Sequence, residues 1–385
     1  MTDQAAQGTL VEEAKRFAEE EIRPRARRFD EQGILDPDLI EKMAGRGLLL
    51  AGLPKEYGGL GLDPLHYGLL TEAVGRACCS TRSLITVQCS LVGESILKWG
   101  TEQQRTYWLP RMAGGQKIGA FALTEAEIGS DARSVRTRYE SHGDEYTLNG
   151  AKRWTSFGDI ADFFLVFAGH GGEVTAFLVE RGMKGVKTRR MVGLLAGRAT
   201  HIAEIEMSNV FVPAESVIGK PGGGFPFVAG TALDHGRYSI AWAGVAVAQE
   251  CVEAMVRYAR CRKQFDRRIG EFQLVQGMIG NAVTKTHAAR ALCVKAAEMR
   301  SAGHGDSVAE TIIAKQFAAR TAVEVAGDAV QLHGGNGCIS DYPVERLYRE
   351  AKILEIVEGT SQILQQMIAR YGLRKYRPQS SAESR

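Results

Sequence analysis

Three stretches decide the fold: ADFFLVFA (residues 161–168), VTAFLV (174–179) and AEIEM (203–207). The first two are apolar, partly β-branched and aromatic runs of strand length. In the third, apolar Ala203, Ile205 and Met207 alternate with Glu204 and Glu206, the period-two pattern of a half-buried antiparallel strand. Asn149-Gly150, directly after the short run EYTL, predicts a hairpin turn, because such a turn needs residues that accept positive φ. Between Ile118 and about Phe211 the chain therefore reads as strands.

Helical periodicity occupies both flanks. VEEAKRFAEEEIRPRARRF (11–29) is amphipathic, and the segments after it are punctuated by the turn signals GRG, YGGLGLDP and KWGTEQQ as far as about Gly115. Beyond Gly222-Gly223-Gly224, Val245, Ala248, Val252, Met255 and Ala259 recur at steps of three and four, one apolar stripe on a helix. The reading predicts an α+β multidomain protein. An N-terminal helical domain spans 1–116, a middle antiparallel β domain 117–225, and a C-terminal helical bundle 226–371. A flexible tail over 372–385 follows, where LRKYRPQSSAESR carries no apolar period. A length of 385 residues, at roughly 150 per domain, agrees with two to three packed units.

Composition narrows the function. With 44% apolar and 24% charged residues the chain buries several cores and is not disordered. Lys plus Arg (48) nearly cancels Asp plus Glu (45), and a net charge of +3 gives no support to a nucleic-acid partner. The seven cysteines contain no C-x-x-C pair, so neither a disulfide framework nor a metal site is predicted. MTDQAAQGTLVEEAKRF lacks the basic start and apolar core of a signal peptide, and no run reaches the ~18 apolar residues of a membrane span. The expectation is a cytoplasmic protein that does not engage a membrane. G-x-G-x-x-G after a strand, G-x-x-x-x-G-K-[ST], H-E-x-x-H and G-x-S-x-G are all missing, which removes Rossmann, P-loop, zincin and α/β-hydrolase readings.

Four segments remain: FALTEAEIGSD (121–131), NGAKRWTSFG (149–158), RCRKQFDRRIGEFQ (260–273), and QLHGGNG (331–337) followed by EIVEGTSQI (355–363). Taken singly, each has an ordinary reading. Thr124 and Ser130 suit a polar turn, with Gly129 permitting close backbone approach. Trp154 suits a core position. The run of Arg and Lys suits a solvated helix end, and Glu358 suits a helix start.

Taken together, in this order and spacing, the four segments resemble the acyl-CoA dehydrogenase family, and YGGLGLDP and ALDHGR (232–237) extend the resemblance over nearly the whole chain. The family's fold is an N-terminal helical domain, a middle antiparallel β domain and a C-terminal four-helix bundle. The resemblance implies FAD as cofactor. Phe121, Leu123, Thr124, Gly129 and Ser130 would contact the flavin, with Trp154, Thr155 and Ser156 at its ring edge. Arg262, Gln264, Phe265, Ile269 and Gln273 would lie at a subunit contact, Arg262 on the pyrophosphate of a neighbour's FAD, where a guanidinium fork suits phosphate. Gln331, Gly334 and Gly335 match positions near the adenosine end of that neighbouring cofactor, and Thr360 and Gln362 complete the cofactor set. A homotetramer, a dimer of dimers, is implied.

The resemblance makes Glu358 the base that takes the α proton of an acyl thioester while the β hydride passes to flavin N5, with electrons going on to an electron-transfer flavoprotein. Some relatives carry the base just before the Arg of the ALDHGR segment; here that position is Gly236, which leaves Glu358. Ser130, Asp234, Arg237 and Gly359 match substrate-contacting positions. Three departures stand out: Phe157 where many relatives carry Asn, Asp266 in place of a turn Gly, and Val357 in place of Tyr. Acyl length is expected to be set around Thr86 to Leu97 and at the entrance near Ser130. STRSLITVQ (80–88) and GRYSIAWAGVAVAQ (236–249) look closer to biosynthetic members that act on acyl or glyceryl groups held by a carrier protein, as in polyketide pathways, so acyl-CoA and acyl-carrier-protein substrates both stay open. A flavin monooxygenase or oxidase on the same fold is disfavoured, because monooxygenase relatives generally lack the Glu of EGT and peroxisomal-type oxidases are usually longer.

Overall fold

Pro37 and Pro64 each open a helix directly after an aspartate, where the missing N–H costs nothing, and Asp63 Oδ1 accepts from His66 N at 2.9 Å. Such signals shape the first of three layers in the computed structural model, which describes residues 3–377. Its helices are α1 (Asp3–Phe17), α2 (Ala26–Gln32), α3 (Pro37–Ala44), α4 (Pro64–Ala77), α5 (Cys79–Ile85), α6 (Glu94–Trp99) and α7 (Glu102–Ala113). Thr101 and Gln104, inside KWGTEQQ, form a reciprocal cap at the start of α7. A π-helical stretch, Thr86–Gly93, joins α5 to α6 and is buried throughout. Gln88 in that stretch holds both backbone groups of Gly119, accepting from its N–H at 2.9 Å and donating to its carbonyl at 2.7 Å, which docks the first strand onto the helices.

The middle layer is an eight-stranded sheet: β1 (Gly119–Ala122), β2 (Arg138–Ser141), β3 (Glu145–Thr155), β4 (Phe163–His170), β5 (Glu173–Glu180), β6 (Val186–Arg190), β7 (Ala203–Pro213) and β8 (Val217–Ile218). Its main path runs β6-β7-β3-β2-β4-β5-β8, with β1 paired to β4. Most pairs are antiparallel, but β1 and β2 each run parallel to β4. That difference has a physical basis in ADFFLVFA: Phe163 to Ala168 are all buried, as in a strand covered on both faces. In β7, Ala203, Ile205 and Met207 point inward and Glu206 outward, as the alternation predicts.

Asn149-Gly150 is not a hairpin turn. Strand β3 runs straight through it, with a register shift against β7 between Leu148 and Gly150. Gly150 has φ +146°, and a Cβ there would stand 2.6 Å from the Cα of Thr137. Positive φ at Asn-Gly serves a bulge and a close backbone crossing here. The β2–β3 connection turns instead at Gly143 (φ +73°).

The third layer begins with α8 (Gly230–Cys261), followed by the two-residue strands β9 (Lys263–Gln264) and β10 (Arg267–Arg268) and by α9 (Gln273–Ser301), α10 (Ser307–His333), α11 (Val344–Leu354) and α12 (Ser361–Lys375). The helical segment over Gly224–Cys261 is long and apolar enough by composition to cross a membrane, yet 83% of that window is buried inside the protein. Glycines let it lie against its neighbours: a Cβ on Gly244 would stand 2.6 Å from the Ala318 backbone of α10, and one on Gly68 of α4 would strike the Trp242 ring at 2.2 Å. The predicted stripe Val245, Ala248, Val252, Met255 and Ala259 is buried. The last helix extends past Tyr371 to Lys375, which pairs with Asp306 and lies over the Tyr371 ring, so the start of the expected tail is helical. The remainder of that tail, 378–385, lies outside the described residues.

Candidate active site

Glu358 sits in the turn between α11 and α12. Helix α11 ends at Leu354, the N–H of Ser361 reaches back to the Glu355 carbonyl at 2.9 Å, and Thr360 Oγ1 caps α12 by accepting from Ile363 N at 3.4 Å. Between these anchors Glu358 (φ +56°) and Gly359 (φ +101°) adopt left-handed backbone, a conformation that costs a non-glycine residue about 1–2 kcal/mol and that concentrates at functional sites. Two cations hold the strained turn, Arg237 half-buried and Lys315 fully buried. Arg237 Nε on α8 donates to the Glu358 carbonyl at 2.9 Å, and Lys315 Nζ on α10 donates to the Gly359 carbonyl at 2.8 Å. The Glu358 N–H donates to no acceptor among the described residues.

The side chain of Glu358 folds over Gly236. A Cβ on residue 236 would stand 2.6 Å from Glu358 Oε2 and 2.7 Å from Leu91 Cδ2, so only glycine leaves room for the carboxylate. Burial pushes the Glu358 carboxyl up to about 7, against the pull of Arg237, Lys315 and Arg82. A carboxylic acid poised near neutrality is suited to accept a proton from a weak carbon acid.

Arg82 on α5 is 1% exposed and makes no ion pair among the described residues. Its Nη1 donates to Thr86 Oγ1 (2.9 Å), Ser239 Oγ (3.1 Å) and the Ser239 carbonyl (3.2 Å), while Nε has no partner among the described residues. Thr86 and Ser239 hydroxyls bond each other at 2.8 Å, and Tyr67 OH meets Ser90 Oγ at 2.8 Å. Ser239 lies one helical turn beyond Gly236, so this polar cluster adjoins the Glu358 carboxylate. Asp234, also on α8, is held by Arg300 at 2.9 Å through Oδ2, while its buried Oδ1 has no partner among the described residues and can accept a hydrogen bond from a ligand N–H.

The first two of the segments expected to hold a flavin meet at a buried ion pair that sequence reading passed over. Lys152 Nζ, fully buried in β3, lies 2.7 Å from Glu125 Oε1 and donates to the Leu123 carbonyl at 3.2 Å. Glu125 in turn accepts from Arg136 N at 2.6 Å, and from the N–H and hydroxyl of Thr137 at 2.9 and 2.7 Å. This ties the loop after β1 to the end of β3. Phe121 in β1 and Thr124 on that loop are half-buried and Leu123 is buried, while Gly129 and Ser130 are exposed. Trp154, at φ +62°, turns its ring outward and is 51% exposed, with Arg153 over it. Thr155 is buried with its hydroxyl unpartnered, Ser156 is half-buried, and Phe157 is fully buried, its N–H on the Thr200 carbonyl at 2.7 Å. An exposed indole face beside an orphaned hydroxyl and an open polar loop fits a planar, hydrogen-bonding flavin.

The second group of predicted cofactor residues lies elsewhere. Arg262, Gln264 and Phe265 project on the β9–β10 hairpin, with Phe265 88% exposed; Gln273 is exposed at the start of α9, and Ile269 is half-buried. Phe265 (φ +54°) and Asp266 (φ +63°) form the two-residue turn, so Asp serves where the family has Gly, an αL position that Asp tolerates. Gln331, Gly334 and Gly335 are exposed at the end of α10, and Gln362 on α12 is exposed. Among the described residues no hydrogen bond or ion pair joins the hairpin to Thr124, Ser130 or Trp154.

Family models match in chain order: acyl-CoA dehydrogenase N-terminal domain over residues 4–116, middle domain over 120–210 and C-terminal domain over 222–373. The chain belongs to the acyl-CoA dehydrogenase family. It is 37% identical over 361 residues to the short-chain specific acyl-CoA dehydrogenase of Clostridium acetobutylicum, covering 92% of this chain and 94% of that one. Among solved structures it is similar to a chain from work on the electron transferring flavoprotein of Acidaminococcus fermentans and flavin-based electron bifurcation (TM-score 0.93, 36% identity, 97% and 99% of the two chains). It is also similar to the prolyl acyl carrier protein oxidase AnaB (TM-score 0.90, 27% identity, 96% and 99%). This acyl-CoA dehydrogenase family member is thus a flavoprotein-type oxidoreductase of CH–CH bonds, with the helical, sheet and helical layers expected of it.

Three groups around the site of this acyl-CoA dehydrogenase escaped the sequence reading: Arg82, Lys315 and the Glu125–Lys152 pair. Arg82 and Lys315 each left one signal, a lone charge among uncharged residues in CSTRSLI and IIAKQFAA, whereas Lys152 beside Arg153 and Glu125 beside Glu127 left none. Long basic side chains normally snorkel to solvent, so the signal gains meaning only once both faces of the helix are known to be covered.

Proposed function

We propose that this enzyme binds FAD and dehydrogenates a short acyl thioester, with Glu358 as the base. The observation that carries the reading is the placement of the Glu358 carboxylate against Gly236, with burial holding its carboxyl near neutrality. When bound, the flavin supplies the acceptor for the β hydride. Glu358, ionised, takes the α proton on its carboxylate. Its free backbone N–H is available to the thioester carbonyl and stabilises enolate charge as an oxyanion hole does. Asp234 Oδ1 offers an acceptor to an amide of the phosphopantetheine arm, and Arg237 steadies the base from behind. Thr124, Ser130, Trp154 and Thr155 would hold the flavin of their own chain. Arg262, Gln331 and the Gly334-Gly335 backbone would complete the flavin of a second copy in a homotetramer, and their exposure in the single chain favours that division. Likeness to the Acidaminococcus structure favours an electron-transfer flavoprotein as acceptor.

A second substrate reading rests on Arg82. A buried guanidinium with an unpartnered Nε, backed by the Thr86 and Ser239 hydroxyls, is costly beside a plain alkyl chain and favourable beside an acyl group bearing oxygen. This favours hydroxylated or carboxylated short acyl groups, carried by CoA or by an acyl-carrier protein. The experiment is anaerobic titration of the yellow protein with butyryl-CoA, a short dicarboxylic acyl-CoA and glyceryl-carrier protein. Bleaching by at least one, abolished in Glu358→Gln with flavin retained, supports the assignment. Undiminished bleaching in Glu358→Gln overturns Glu358 as base.

A further inference from the structure

We propose that Lys315 is a positioning residue for Glu358: its ammonium pins the Gly359 carbonyl, and together with Arg237 on the Glu358 carbonyl it maintains the left-handed turn that lays the carboxylate over Gly236 and leaves the Glu358 N–H free. The inference rests on the reading of Glu358 as base. Lys315 is 0% exposed, and its Nζ lies 2.8 Å from Gly359 O. No carboxylate lies within ion-pair distance of it among the described residues. A buried ammonium without a direct carboxylate partner is expensive, so its retention must serve something other than a salt bridge. What it does serve is visible in the geometry. Two cations on different helices, α8 and α10, grip two successive carbonyls of one strained turn, so neither helix alone sets the direction of the base. The grip has an electrostatic side, because the same charge favours ionised Glu358.

The charged groups that face Lys315 are few. The α11–α12 turn presents Glu358 and Glu355, and α8 presents Arg237. From α9, Arg300 reaches Thr311, one turn before Lys315 on α10, and is itself paired with Asp234. Burial pushes the Lys315 ammonium down to about 8, against the pull of Glu358, so its charge is lost just above neutrality. Activity then falls on the alkaline side as the pin weakens, giving a bell whose acid limb belongs to Glu358 and whose alkaline limb belongs to Lys315.

The test compares Lys315→Met and Lys315→Gln with the wild-type holoenzyme in flavin content, melting temperature, anaerobic bleaching rate and its pH profile. Lys315→Met is expected to keep flavin, slow bleaching by about 10–100-fold with KM changed less than about threefold, move the acid limb to higher pH and abolish the alkaline limb. Lys315→Gln keeps a donor without the charge. It should retain more of the rate than Lys315→Met and still lose the alkaline limb, and it provides the same readout if the Met variant does not fold. Variants with wild-type rate and both limbs in place overturn the proposal, as does a loss of rate matched by an equal loss of flavin. Glu358→Gln runs alongside: bleaching in that variant sinks the base assignment itself, whereas its failure to bleach beside unaltered Lys315 variants sinks only the positioning role.

Discussion

Glu358 Oε2 occupies the space that a side chain on residue 236 would require, 2.6 Å from where its Cβ would stand. Gly236 lies on α8 and Glu358 in the turn between α11 and α12, more than a hundred positions apart, yet the absence of one side chain is the condition for placing the other. Gly236→Ala should therefore displace the carboxylate. Bleaching is expected to slow at least about tenfold, since small misplacements of a catalytic group cost that much or more. The added methyl in a packed site should cost about 1–3 kcal/mol of stability. Stopped-flow bleaching beside thermal unfolding checks it, and an unchanged rate would show that the turn has room to yield.

Glu358 also dictates pH behaviour. Its carboxyl is raised in the folded protein from the ordinary 4.5 to about 7, so kcat/KM should rise with pH through about 7 on the acid side. The linked stability has the opposite sign. The folded state favours the protonated acid, so this contribution is complete below pH ~4.5 and disappears as pH passes ~7. Glu358→Gln, neutral at every pH, should be more stable than wild type at pH 8 by about 1–2 kcal/mol, discounted because the residue is partly open to solvent, and equal to it near pH 4.5. Denaturant melts at both pH values provide the comparison.

Arg82→Met tests the proposed polar end of the acyl site. Removing a buried guanidinium and filling its space with an apolar chain should raise KM for a carboxylated acyl-CoA about 10–100-fold while leaving butyryl-CoA unchanged or improved. Equal effects on both substrates would assign Arg82 to packing alone.

Lys152→Met probes the joint between the two segments proposed to hold the flavin. It leaves Glu125 buried and without its cation, which costs about 3–5 kcal/mol, and it frees the loop that carries Thr124 and Ser130 from β3. A lowered melting temperature with flavin lost on gel filtration is the expected result. The double change Glu125→Gln with Lys152→Met should recover part of the stability, because no uncompensated charge remains.

Helix, sheet and helix were legible in the chain because hydrophobic period depends only on neighbours a few residues apart: ADFFLVFA, AEIEM and the Val245 to Ala259 stripe each report their own element. The motif order was legible for the same local reason, and it carried the family and Glu358 with it. What Asn149-Gly150 does was not legible. Positive φ serves a turn or a bulge equally well, and the presence of Thr137 against Gly150 decided for the bulge. The parallel pairing of β1 and β2 with β4 also required the assembled sheet. So did the importance of Arg82, Lys152 and Lys315: a basic residue is ordinarily a snorkelling surface group, and it becomes a buried cation only when a second element covers its exit. Local sequence thus determined the elements, their order and the candidate base. The tertiary structure alone determined the acidity of that base and the direction it faces, because both depend on desolvation and on charges brought from α5, α8 and α10, which no spacing along the chain encodes.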